Sequence, residues 1–108
     1  MEFDRQRETI LVVEDNQVIR ALSKAFLERA GYAVATAEDG DCGFNFFKQH
    51  RSRIALLLTD VRMPNMNGFE LADRILELDA EFPILFMSAT WNADRVWGVS
   101  RSLSRRSS

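Results

Sequence analysis

A chain of 108 residues has room for one compact domain with its own core and not for two. At 46% hydrophobic and 28% charged residues it falls among ordinary globular proteins, away from disordered or collagen-like compositions. A net charge of −2 gives no electrostatic ground for direct nucleic-acid binding, and no apolar run approaches the roughly 20 residues that span a bilayer. Residues 1–10 are charged rather than leader-like, so a cytoplasmic location without membrane attachment is expected.

The first element is the apolar, β-branched run Ile10-Leu11-Val12-Val13, closed by Glu14-Asp15-Asn16, which predicts a buried strand followed by a helix-capping turn. Val18, Ala21, Leu22, Ala25 and Phe26 then recur at helical spacing as one apolar stripe, and Gly31 stands where a left-handed C-terminal cap is wanted. Residues 33–37 predict a second strand and residues 41–49 a helix with Phe44 and Phe47 on one face, weakened by Gly43. Residues 54–59 (IALLLT) form an almost wholly apolar third strand, and residues 60–68 a loop holding Pro64 and Gly68. Leu71, Ala72, Ile75 and Leu76 mark the next helix, and Pro83 introduces the fourth strand, Ile84-Leu85-Phe86-Met87.

Strands without alternation are usually buried on both faces, which predicts an α/β fold with a parallel sheet covered by helices on each side. In such sheets ligands sit beyond the carboxyl ends of the strands. Those ends present Glu14-Asp15, then Asp60, then Ser88-Ala89. With strand order 2-1-3-4, the flavodoxin-like order, three carboxylates and a hydroxyl converge. Clustered carboxylates repel one another, and Mg²⁺ is the cation that prefers a few carboxylates with waters and phosphate oxygens. A carboxylate beside such a cation can act as a nucleophile toward phosphorus. Asp60, at the mouth of the central strand, is the candidate nucleophile, with Ser88 donating a hydroxyl to a phosphoryl oxygen and Ala89 leaving room for it.

Other chemistry-bearing residues have plainer readings. Glu14-Asp15-Asn16 alone would be a helix cap, and its company with Asp60 reverses that judgement. Cys42, the lone cysteine, has no internal disulfide partner, and His50, the lone histidine, cannot build a His/Cys zinc site. Phe44, Phe46, Phe47, Phe69 and Phe86 read as core or partly exposed packing residues, and Met63, Met66 and Met87 as gap-fillers.

Over residues 9–90 the sequence resembles the receiver domain of two-component response regulators. An acidic pair follows the first strand, a D-x-x-M-P-x-M-(D/N)-G pattern runs from Asp60 to Gly68, and Ser88-Ala89 ends the fourth strand. Asp60 follows Asp15 by 45 positions and Ser88 follows Asp60 by 28, as in that family. The resemblance implies a CheY-like doubly wound sheet and a phosphoryl group accepted on Asp60 from a sensor histidine kinase or phosphotransfer protein. It implies Mg²⁺ bound directly by Asp15, Asp60 and the Arg62 carbonyl, with Glu14 acting through water. It also implies a signalling module, not a conventional enzyme. A haloacid-dehalogenase-type phosphohydrolase would need an acid two residues after the nucleophile, where Arg62 stands. A flavodoxin-type flavin site would need a hydroxyl-rich loop in place of Glu14-Asp15.

Residues 91–108 depart from the resemblance. The family continues into a fourth helix, a fifth strand ending in Lys-Pro and a fifth helix, whereas here the end is rich in serine and arginine and no lysine follows Lys48. Aligned on the family's Lys-Pro, Arg105 would stand at the lysine and Ser102 at the aromatic position, and arginine's planar fork does not simply replace an ammonium. The alternative reading is therefore a truncated or non-switching receiver-like interaction module. Without a fifth strand, the fourth would be an exposed sheet edge open to self-association.

Overall fold

The computed structural model describes residues 9–87; the expectations for Ser88, Ala89 and residues 91–108, including Arg105 and the fifth strand, lie outside the described residues. The chain runs β1 (Thr9–Val13), α1 (Gln17–Arg29), β2 (Ala33–Ala37), α2 (Gly40–His50), a 3-10 turn (Arg51–Arg53), β3 (Ile54–Asp60), α3 (Gly68–Leu78) and β4 (Ile84–Met87). All pairings are parallel and the order is β2-β1-β3-β4, as expected from the sequence. The chain steps from β1 to β2, then returns past β1 to β3 and β4. Crossovers between parallel strands are right-handed, so this reversal sends α1 to one face of the sheet and α2 and α3 to the other.

Local chemistry fixes the helix ends. Asn16 caps α1 by accepting from the Ile19 N–H at 3.0 Å. The helix closes where Gly31, at φ 103°, donates to the Glu28 carbonyl while Tyr32 donates to that of Leu27. Asp39 caps α2 through the Cys42 N–H at 2.8 Å. Asn67 and Glu70 cap α3 reciprocally, each backbone N–H donating 2.9 Å to the other's side chain.

The core lies between the sheet and the α2–α3 pair. Leu11, Val13, Leu57 and Ile84 from the strands meet Phe47, Leu71, Ala72 and Ile75 from the helices, with the Phe47 and Phe82 rings edge to face at 4.9 Å. Gly43, a weak point for helix propensity, has a packing reason: a Cβ there would stand 2.7 Å from Val13 Cγ2, so a side chain would push α2 off β1.

The other face differs from the sequence reading. The predicted stripe Val18, Ala21, Leu22, Ala25 and Phe26 is exposed, Phe26 to 73%, and α1 buries no residue. Its half-buried residues are Arg20, Ser23, Lys24 and Leu27, and Ser23 Oγ lies 3.9 Å from Met87 Sδ. Ile10 and Val12 are covered on this face, while Leu56, Leu58, Leu85 and Met87 are half-buried. Periodicity marked an apolar stripe, but the side of α1 that is half-buried is a different one, because periodicity does not say which neighbour is present to cover a face.

Candidate functional site

Sheet register brings the first two acids together. Val13 is the parallel partner of Thr59, so Glu14 and Asp60, each one residue further, stand side by side at the ends of adjacent strands. Asp15 follows on the β1–α1 turn. Carboxylate oxygens of Glu14, Asp15 and Asp60 all lie within 4.8 Å of one another. Glu14 is 2% and Asp60 4% exposed, whereas Asp15 faces solvent.

Asp60 was expected to open the loop but is the last residue of β3, paired in register with Met87. The ladder continues one step beyond it, the Val61 N–H donating to the Met87 carbonyl at 3.1 Å. The nucleophile candidate is thereby held by sheet backbone rather than by loop packing. Behind it, the buried Thr59 hydroxyl donates to the Asp60 carbonyl at 2.9 Å. The loop then turns back: the Arg62 N–H reaches Asp60 Oδ1 at 3.4 Å, Asn65 takes φ 72°, and the Gly68 N–H donates to the Val61 carbonyl at 2.9 Å.

Burial makes Glu14 the electrostatically costly member. Its carboxyl is pushed up from 4.5 to about 7, chiefly by desolvation, with the Asp60 charge adding to it and the Asn16 N–H, which donates to Oε2 at 2.9 Å, opposing it. Among the described residues no lysine or arginine ion-pairs with any of the three acids. An all-oxygen set of three carboxylates, two of them buried, fits a hard divalent cation.

The structure therefore brings Glu14, Asp15 and Asp60 together. It carries Arg62 onto the same loop and leaves Ser88 outside the described residues. Sequence reasoning passed over Arg20 and Thr59, an arginine in a helix and a threonine in a strand, which carry no distinguishing signal. Cys42 is exposed at the start of α2, its thiol pKa raised by hydrogen bonding to Asp39 and by that residue's charge. His50 lies against the Phe46 ring at 4.4 Å. Neither belongs to the acidic cluster.

Residues 10–99 match the family described as response regulator receiver domain. The chain is 36% identical over 88 residues to the autoinducer 1 sensor kinase/phosphatase LuxN of Vibrio campbellii, covering 82% of this chain and 10% of that protein. It is 34% identical over 92 residues to the response regulator GtcR of Aneurinibacillus migulanus, covering 84% and 37%. It thus spans a minor part of each of these relatives. Among solved structures, the response regulator TrrA of Thermotoga maritima, crystallised with Mg²⁺ and BeF, superposes with a TM-score of 0.71 at 32% identity over 84% of this chain and 76% of that one. A structure of TrrA in complex with the histidine kinase ThkA gives 0.72 at 29%, over 88% and 77%.

Proposed function

This chain belongs to the response regulator receiver domain family, whose members are phosphoacceptor signalling modules rather than conventional enzymes, and from that premise we propose that Asp60 is its phosphoacceptor. The observation that carries the reading is the convergence of Glu14, Asp15 and Asp60 at the ends of β1 and β3. Asp15, Asp60 and the Arg62 carbonyl would hold Mg²⁺, with Glu14 acting through water. The cation would neutralise and orient the oxygens of the transferring phosphoryl group.

The residues' own parts follow from their placement. Asp60 is buried at the sheet end, so its carboxylate is poorly hydrated and held in one direction. It attacks phosphorus, forming a P–O bond as the donor's P–N or P–O bond breaks, with no net oxidation. Ser88, one step past the Met87 partner of Asp60, would donate its hydroxyl to a phosphoryl oxygen. The donor class is a phosphohistidine on a sensor kinase or phosphotransfer protein; the complex of TrrA with ThkA supports this. We propose a cytoplasmic location, as is typical of receiver domains; among the described residues no helix is long and apolar enough to cross a membrane.

The test is incubation of the full chain with Mg²⁺ and an acyl phosphate, followed by mass spectrometry. A single phosphoryl adduct on Asp60 is expected, absent in Asp60→Asn; an undiminished adduct in that variant overturns the assignment.

A second reading, a non-switching module, rests on the composition of residues 91–108, whose basic side chains are all arginines. In that case beryllium fluoride binds with little change in association or amide exchange, because a ligand without preference between two states shifts neither. Self-association would then run through β4, which has one strand neighbour among the described residues. A stable monomer with a cooperative response would exclude both.

A further inference from the structure

The turn that carries Glu14 and Asp15 is held from behind by a residue of α1. Arg20, half-buried one turn into the helix, sends Nη1 back to the Glu14 carbonyl at 2.8 Å and toward the Asp15 carbonyl at 3.4 Å. Its own N–H donates to the Asn16 carbonyl at 2.9 Å, closing the first turn of the helix. The same turn is tied to β2 through the Glu14 N–H, which donates to the Ala37 carbonyl at 3.1 Å.

These contacts bear unequally on the two acids. Glu14 is buried, and its Oε2 accepts from the Asn16 N–H, so packing and a local bond orient it. Asp15 is exposed; apart from its side-chain contact with Glu14, its carboxylate is directed by the peptide planes on either side of it. Arg20 grips the carbonyl of both planes. A charged donor to a carbonyl is among the stronger hydrogen bonds, and a side chain joined to two successive carbonyls resists rotation of the peptide between them.

We propose that Arg20 is a positioning residue for the acidic pair: by holding the Glu14 and Asp15 carbonyls it keeps the Asp15 carboxylate turned toward Asp60, in readiness for a divalent cation. This rests on the metal reading above.

The sign of one measurement separates positioning from mere proximity of charge. A guanidinium beside a cation site repels the cation, so if Arg20 contributed only charge, removing it would tighten Mg²⁺ binding. If it positions the turn, removing it weakens binding, on the order of tenfold as for other residues that orient metal ligands. The experiment titrates the full chain with Mg²⁺ alone, following the amide resonances of residues 13–16, for wild type, Arg20→Met, Arg20→Lys and Asp15→Ala. Methionine keeps much of the apolar stem and loses the donors; lysine keeps the charge and reaches one carbonyl.

About tenfold weaker binding by Arg20→Met, with partial recovery in Arg20→Lys and an unchanged unfolding midpoint, is the expected result. Unchanged or tighter binding in Arg20→Met overturns the proposal. Should Arg20→Met fail to fold, Arg20→Lys decides alone: weaker binding than wild type supports positioning, and equal or tighter binding overturns it. If Asp15→Ala also binds Mg²⁺ as wild type does, the metal reading itself fails; if it alone loses binding, only the role of Arg20 falls.

Discussion

Gly68 and Asp60 are in backbone contact across the mouth of the site. A Cβ built on Gly68 would overlap the Asp60 carbonyl oxygen, and the Gly68 N–H already donates to the next carbonyl, that of Val61, at 2.9 Å. Neither side can yield, since Asp60 is fixed in the sheet and Gly68 opens α3. Gly68→Ala should therefore cost about 2 kcal/mol or more, measured by denaturant unfolding, and should impair phosphorylation of Asp60. Wild-type stability with full acceptance of phosphate would contradict this contact.

Glu14 gives the chain a pH dependence. Its folded carboxyl keeps its proton up to about 7 from an ordinary value of 4.5, so between those values the folded state binds more protons than the unfolded. Stability without divalent cations should fall as pH rises through that window, by up to about 3 kcal/mol from this group. Glu14→Gln lacks the term, so its stability relative to wild type should climb from pH 4.5 to 7. Parallel stability curves for the two proteins would refute the assignment to Glu14.

The acids should not be equivalent toward Mg²⁺. Asp15→Ala removes a proposed direct ligand and Glu14→Ala a water-mediated one, so Asp15→Ala should weaken binding more, by about tenfold relative to Glu14→Ala. Equal affinities in a magnesium titration would count against this division of roles.

Two phenylalanines should respond in opposite ways. Phe47 is fully buried against Phe82, and Phe26 is 73% exposed. Phe47→Ala should cost about 3–5 kcal/mol, whereas Phe26→Ala should stay within about 0.5 kcal/mol. A large loss in Phe26→Ala, read from denaturant midpoints, would mean that the stripe on α1 is covered in solution.

The strands and the acidic cluster were legible because two physical constraints left their mark on the chain, whereas the strand order came with the resemblance to a known family. Strands in the interior of a parallel sheet are apolar at nearly every position, which exposed residues 10–13 and 54–59. Charges must sit where the sheet ends, which exposed Glu14, Asp15 and Asp60. The hold of Arg20 on the turn was illegible, since an arginine in a helix looks the same whether it faces water or a carbonyl. Asp60 read as a loop residue for a related reason: an acid after an apolar run looks like a strand terminator, and only pairing with Met87 extends the ladder to it.

The slight burial of α1 has a consequence for its exchange with solvent. A helix with no buried residue opens at little cost in packing, so its amides should exchange through local opening well before the core unfolds. Yet the first turn of α1 holds Asn16 and Arg20 against the acidic pair, and opening that turn would undo the arrangement a cation needs. A cation that binds only the closed form at a hundred times its dissociation constant would slow this exchange about a hundredfold. The amides of Ile19 and Arg20, which lie outside the acidic cluster, would then report its occupancy.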